Sequence, residues 1–334
     1  MSVRRIAFTG SRGHWGVVVR ELASLPDVEV VAVADGGDSG TPVVDAIVKA
    51  GRPKPAVEAD HAAMLDKHKP DAVVISGPFE LHARQTIDAI ERGIHVLAEK
   101  PVALTQLDLD RVRAAVARNP KVHLAGMMFS RYDPGFYTAW KLIRDGAIGE
   151  VRLLNARKSY RLGKRGPHHH DRATYGGTIP WVGSHAIDWV QWYIGDAAYE
   201  SVYATHSAMH NDGNGTMERS AACLFAIEGE RAATVSVDVF RPSTAPTHGD
   251  DWARVVGSLG VIEARPQSLT LLREGHAPDD AVKVDCPLQP VEDFIAACEG
   301  RRTPIVDARD TLRLTEACLR ARESADTRQL VRFG

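Results

Sequence analysis

The sequence predicts an α/β protein: a doubly wound parallel sheet in the N-terminal part, followed by an α+β domain. Three observations predict it. Over the first 125 residues, short β-branched runs alternate with longer segments of helical periodicity, the pattern of a parallel sheet with helices on both faces. The strand runs are apolar almost throughout, as in Val28-Glu29-Val30-Val31-Ala32-Val33, which indicates cover on both sides. After about residue 125 the rhythm changes to strands in succession framed by helices. A length of 334 residues suits two domains, placed here at 1–125 and 126–334.

In the first part the expected strands are 5–9, 28–34, 71–76, 95–98 and 121–125, and the expected helices are 15–24, 43–49, 61–68, 81–92 and 107–117. Within 81–92, Ala83, Ile87 and Ile90 recur at helical spacing and Gly93 provides the stop. In the second part a helix over 134–144 leads through Gly146 and Gly149 into a long strand, 151–160. A polar loop rich in Gly, His and Arg separates that strand from an apolar helix over 185–193. Successive strands then include 221–227, 233–240 and 253–256, with turn signals such as Glu228-Gly229-Glu230, and helices over 291–299 and 308–325 close the chain.

Composition narrows the partners. The 41 Lys plus Arg nearly balance 43 Asp plus Glu, so the electrostatic footprint of a nucleic-acid binder is missing. No apolar run approaches the roughly 20 residues of a membrane span. Cys223, Cys286, Cys298 and Cys318 are scattered without CxxC spacing, which suggests reduced thiols rather than a disulfide framework or a zinc site. Met1 to Arg5 runs directly into a strand-like Ile6-Ala7-Phe8-Thr9, too short for a signal-peptide core. A cytoplasmic protein is expected.

The first strand ends in Gly10-Ser11-Arg12-Gly13-His14-Trp15-Gly16, where a helix begins. Glycines at such a junction allow a tight turn, close approach of the backbone to a pyrophosphate, and close helix–strand packing. The spacing is GxxGxxG rather than GxGxxG. Asp35 follows the second strand, 19 residues beyond Gly16, where a carboxylate accepts from the adenosine ribose hydroxyls and repels a 2′-phosphate. Gly36-Gly37 adds no cation, so NAD is preferred over NADP. The alternative for Asp35 is a cap on the following turn.

Asp71 to Pro78, then His82, then Ala89-Ile90-Glu91-Arg92-Gly93-Ile94-His95-Val96-Leu97-Ala98-Glu99-Lys100-Pro101, closely resemble the Gfo/Idh/MocA oxidoreductases, with Glu-Lys-Pro the most specific element. Further similarity lies at Arg131-Tyr132-Asp133-Pro134, at Gly146 to Val151, at Gly176-Gly177 with Gly183, His185 and Asp188, and at Glu292-Asp293-Phe294. The resemblance spans nearly the whole chain. It implies a Rossmann domain joined to a domain built on a large open, mainly antiparallel sheet, and a homodimer or homotetramer formed through that sheet. It also implies hydride transfer between NAD or NADP and a secondary alcohol of a sugar, inositol or related polyol. Cofactor contacts are then expected from Ser76, Gly77, Pro78, His82, Glu99, Lys100 and Pro101, beside Gly10, Arg12, Gly13, His14, Trp15, Gly16 and Asp35. Lys100 matches the lysine that hydrogen-bonds the reacting oxygen, and His185 the general acid/base.

Residue chemistry agrees with both roles. Lys100 falls at the carboxyl end of a parallel strand, where ligands of open α/β sheets sit, and its charge would stabilise a developing alkoxide. Pro101 makes the preceding bond a candidate for the cis form. Histidine titrates near working pH and suits proton transfer.

One position departs from the family pattern. Many members carry an aspartate four residues before the histidine, and here Trp181 stands there. Three substitutes present themselves: Asp188 on the same helical face as His185; Tyr160 at the end of the long strand, as a proton or hydrogen-bond donor; and the loop His168-His169-His170-Asp171-Arg172, which could bring His170 or Arg172 to a polyhydroxyl or carboxylate-bearing substrate. Trp181 could form a platform for a sugar ring. The ranking is Lys100 with His185, then Tyr160, then the histidine loop; the histidine run is read as solvated, with no metal. Two other functions compete with a polyol dehydrogenase: redox-neutral glycoside cleavage using held NAD, and a non-catalytic NAD-sensing regulator.

Overall fold

The computed structural model describes residues 3–279 and 282–334; Met1 and Ser2, part of the N-terminal stretch read against a signal peptide, lie outside the described residues. The chain divides into two compact units, Met1–Met127 with Leu288–Thr315, and Met128–Pro287 with Glu316–Gly334.

The first unit alternates β1 (Arg5–Thr9), α1 (Trp15–Glu21), β2 (Glu29–Ala34), α2 (Thr41–Lys49), β3 (Ala56–Glu58), α3 (His61–His68), β4 (Ala72–Ile75), α4 (His82–Ile90), β5 (His95–Ala98), α5 (Gln106–Arg118) and β6 (Leu124–Gly126). All neighbouring strands pair in parallel, in the order β3-β2-β1-β4-β5-β6. This is the doubly wound arrangement, and the order reverses between β1 and β4. The strands are apolar on both sides because helices cover both faces: Ala7, Phe8, Ala32, Val33, Val73, Ile75, Val96 and Ala98 are fully enclosed. Asp60 and Thr105 start α3 and α5 by accepting from Ala63 N and Asp108 N.

Two differences from the sequence reading are local. β3 is a three-residue edge strand after Pro53 and Pro55, too short for a periodic signal. β6 begins at Leu124 rather than 121, because Val122 N donates to Asn119 O and closes a turn there.

The second unit contains α6 (Pro134–Arg144), β7 (Val151–Ser159), α7 (Arg172–Tyr175), α8 (Ser184–Ile194), β8 (Tyr199–Ser207), β9 (Ser220–Ile227), β10 (Arg231–Asp238), β11 (Trp252–Gly257), β12 (Gly260–Arg265) and β13 (Ser268–Arg273). After α9 (Pro290–Cys298) comes α10 (Ala308–Thr327), and β14 (Val331–Arg332) completes an eight-stranded sheet ordered β13-β12-β11-β7-β10-β9-β8-β14. Only β7 and β10 pair in parallel; the rest is antiparallel. Along β9 and β10, Cys223, Phe225, Val235 and Val237 point into the core while Leu224, Thr234 and Ser236 point out. The inner face is covered by α6 and α8, which is the alternation of a sheet with one open side.

Among the described residues no helix is long and apolar enough to cross a membrane. All four cysteines are free, three of them buried.

Candidate active site

In the first unit the strand order reverses between β1 and β4, and the turns leaving those strands press together. A Cβ on Gly10, whose φ is +70°, would overlap Gly77 Cα, and one on Gly13, at φ +71°, would overlap the Glu99 carboxylate. Only glycine fits at either place. Gly16 differs, since a Cβ there meets nothing closer than Arg20 at 3.9 Å. Arg12 N donates to Ser76 O at 2.6 Å, and its Nε lies 3.2 Å from Asp38 Oδ2. Trp15 opens α1 and is half-buried, and Gly77, Pro78 and Pro101 are buried around the turns.

Asp35 follows β2 as expected. Its Oδ1 accepts from Gly40 N at 2.8 Å, so one carboxylate oxygen caps the next turn and the second carries no such bond. His82 is fully buried, with Nδ1 3.0 Å from Pro101 O and Nε2 3.0 Å from Gly77 O. Its ring therefore ties the turn after β4 to the turn after β5 and does not face a ligand. Burial depresses its basicity, more than the two carbonyls and Glu99 restore it.

Glu99 is 2% exposed and accepts from the His14 backbone N–H, while the His14 ring lies 2.9 Å from Oε2. Burial pushes its carboxyl up, but the charge and hydrogen bonds of His14, with Lys100 adding, bring it down to about 2. Lys100 follows, 5% exposed, with a cis peptide bond to Pro101. The residues fit a dinucleotide: a glycine cradle that a Cβ would fill, a buried Ser76 Oγ without a protein partner, and an acidic residue after the second strand.

In the second unit, five residues of π-helix, Ile179–Gly183, lead into α8. Every residue of α8 is buried except His185, which is half-exposed. Asp188, the expected partner of that histidine, is engaged elsewhere: Arg131 donates to it through Nε at 3.0 Å and Nη2 at 2.7 Å, both side chains being 1% exposed. Gln191 Nε2 adds a third bond at 3.1 Å.

Tyr160 lies just beyond β7, with its ring stacked on His248 at 5.3 Å and edge-on to Trp181 at 6.1 Å. Burial pushes its phenol well above the usual range, so it is a donor. Trp181 is also bordered by His169 at 4.4 Å and Tyr175 at 5.9 Å. Tyr175 OH donates to Glu218, which also accepts from Thr178 N at 3.0 Å.

Arg172, expected near the substrate, is held by Asp326 at 2.7 and 3.0 Å and by Glu218 at 3.2 Å. His170 is half-buried; its carbonyl accepts from Thr216 N, and its Nε2 is enclosed without a partner. Asp171 caps α7 by accepting from Ala173 N at 2.9 Å. Among the described residues no group of three or more His, Cys, Asp or Glu side chains is placed to hold a metal ion. Arg165 went unnoticed in the sequence reading, yet its guanidinium lies over both Trp181, at 4.8 Å, and Tyr160, at 5.5 Å. Its place in the Gly- and His-rich loop gave no periodic signal that would have singled it out.

The sequence profile described as "Oxidoreductase family, NAD-binding Rossmann fold" matches residues 23–127, and that of the "GFO/IDH/MocA C-terminal domain" matches 136–263. The chain belongs to the Gfo/Idh/MocA family. As a Gfo/Idh/MocA protein it is an oxidoreductase with an NAD-binding Rossmann domain. It is 28% identical over 321 residues to Inositol 2-dehydrogenase 1 of Saccharopolyspora erythraea, covering 91% of this chain and 90% of that one. A solved Thermotoga maritima protein, whose oxidoreductase activity is itself an assignment, is 39% identical with a TM-score of 0.93, covering 98% of this chain and 100% of that one. An inositol dehydrogenase homologue from Azotobacter vinelandii, solved with NADH and myo-inositol, shares the Gfo/Idh/MocA fold at 18% identity, with a TM-score of 0.79 over 99% and 98% of the two chains.

Proposed function

We propose that the protein oxidises a secondary alcohol of a sugar, inositol or related polyol, or reduces the matching ketone, with NAD preferred over NADP. The first unit binds the dinucleotide and the second the substrate. The observation that carries this reading is Lys100, at the carboxyl end of β5 and directly after a glutamate bonded to the glycine turn. Bound NAD supplies the hydride acceptor. Lys100 donates to the alcohol oxygen and stabilises the charge that grows there as the proton leaves. His185, the half-exposed residue of α8, takes that proton. Tyr160, held protonated, donates a hydrogen bond to the substrate. Asp188 is committed to a buried ion pair with Arg131.

The test is NADH formation across a polyol panel, by absorbance. Lys100→Ala should leave NAD binding nearly intact and lower kcat by at least about a thousandfold. Unchanged turnover in that variant refutes the assignment. Release of a leaving group without NADH accumulation would instead mark redox-neutral glycoside cleavage.

We also propose a homodimer or homotetramer built through the open face of the second sheet. Tyr203, Leu224, Thr234 and Trp252 line a concavity there, and Leu224 is 51% exposed. Leu224→Glu should shift the mass measured by light scattering toward the monomer. Four free thiols fit a cytoplasmic setting.

A further inference from the structure

Arg165 stands beside the aromatic cluster of the second unit. Its guanidinium is layered against Trp181 and Tyr160, and its Nε is enclosed without an acceptor. Among the described residues no carboxylate or carbonyl accepts from it. Of the cations near it in the chain, Lys158 pairs with Asp251, Arg161 donates to Ala245 O and Arg172 is held by Asp326, whereas Lys164 is exposed. Arg165 is half-buried, and it is the enclosed Nε–H that lacks an acceptor, which is costly for a donor closed off from water. Trp181 and Tyr160 stand edge-on to one another at 88°, so they border this guanidinium without enclosing both its faces, and its outer N–H groups are left for a partner.

We propose that this partner is a carboxylate of the substrate, so that the alcohol being oxidised belongs to a polyhydroxy acid. The inference rests on the polyol reading above and narrows it. A planar carboxylate matches the guanidinium fork with two parallel hydrogen bonds. A single guanidinium fork balances the one negative charge of a carboxylate. Trp181 fits the same picture. Its indole borders Arg165 without offering a negative charge that would compete with a substrate carboxylate.

The test compares matched acid and neutral substrates, D-gluconate against D-glucitol and D-glucuronate against D-glucose, with full-length wild type, Arg165→Gln and Arg165→Lys. The wild type should favour the acid in kcat/KM by at least about 30-fold. In Arg165→Gln that ratio should fall toward one, chiefly through KM of the acid, and Arg165→Lys should lie between. Circular dichroism and NAD binding establish that the variants are folded. A wild-type ratio near one, or a variant that weakens acid and neutral substrate equally, overturns the inference, as does a stronger Arg165-dependent preference for a sugar phosphate.

Calorimetric binding of gluconate in the presence of NADH separates this inference from the polyol reading. Arg165-dependent binding without NADH formation from any alcohol supports the carboxylate site and overturns the dehydrogenase assignment. Turnover of neutral polyols with no Arg165-dependent acid binding does the reverse.

Discussion

The Glu99 carboxylate is bonded to His14 at two points, the ring Nδ1 and the backbone N–H, each 2.9 Å from Oε2. The end of β5 is thereby fastened to the glycine turn after β1, and Lys100 is the next residue along. Glu99→Gln preserves the shape but removes the charge, and should cost about 2 kcal/mol in urea denaturation. The carboxyl is lowered from 4.5 to about 2 by folding, so its contribution is fully present above pH 4.5 and is lost as pH falls through 2. The gap between wild type and variant should close over that window.

Glu21 behaves in the opposite sense. It ends α1 and accepts from Val291 N, in the first turn of α9, at 2.8 Å. Burial lifts its carboxyl to about 7, an effect the Val291 bond only partly offsets. Protons are held in the folded state between pH 4.5 and 7 that the unfolded chain releases. The stability this group gives is complete below pH 4.5 and declines as pH rises through 7. Denaturation midpoints of wild type should show that decline, and Glu21→Gln should flatten it.

Arg131 and Asp188 form an ion pair shut off from water on both sides, with Arg131 also 5.2 Å over Trp192. Removing either charge strands the other. Arg131→Met and Asp188→Leu should each cost about 3–5 kcal/mol. The double variant should cost clearly less than the sum, as read from a thermal-denaturation cycle.

Asp35 supplies the charge argument for NAD over NADP. Asp35→Ser keeps an acceptor for Gly40 N while removing the repulsion of a 2′-phosphate. The ratio of kcat/KM with NADP to that with NAD should rise by at least about tenfold, and an unchanged ratio would place the discrimination elsewhere.

The fold was legible in the sequence wherever a period or a turn residue repeated. α3 and α6 lie at their expected bounds, because Asp60 and Pro134 mark their starts and apolar residues recur along them. β3 lacked the length to show a period. In the site, Gly10, Gly13, Asp35, Glu99 and Lys100 could be singled out because local motifs carry them. Arg172 and Asp188 stood out for the same reason, but their ion pairs did not. Their partners, Asp326 and Arg131, stand 154 and 57 residues away, and no local pattern announces such a pairing. Arg165 was invisible because what marks it is its place beside Trp181 and Tyr160, and that is a property of the folded surroundings alone.

Leu288–Thr315 belongs with the first 127 residues, as Val3 N bonding Glu299, Glu21 accepting from Val291 N and Gly126 N donating to Thr311 Oγ1 all illustrate. During synthesis the nucleotide-binding half therefore waits for material encoded well downstream of its sixth strand. Its sheet can assemble early on the ribosome, but the backbone N–H of its last strand has no partner from α10 until residue 311 has emerged. A gene fragment ending at the first unit boundary would encode all six strands and still lack that closure, so a self-sufficient cofactor-binding fragment must splice the two segments together.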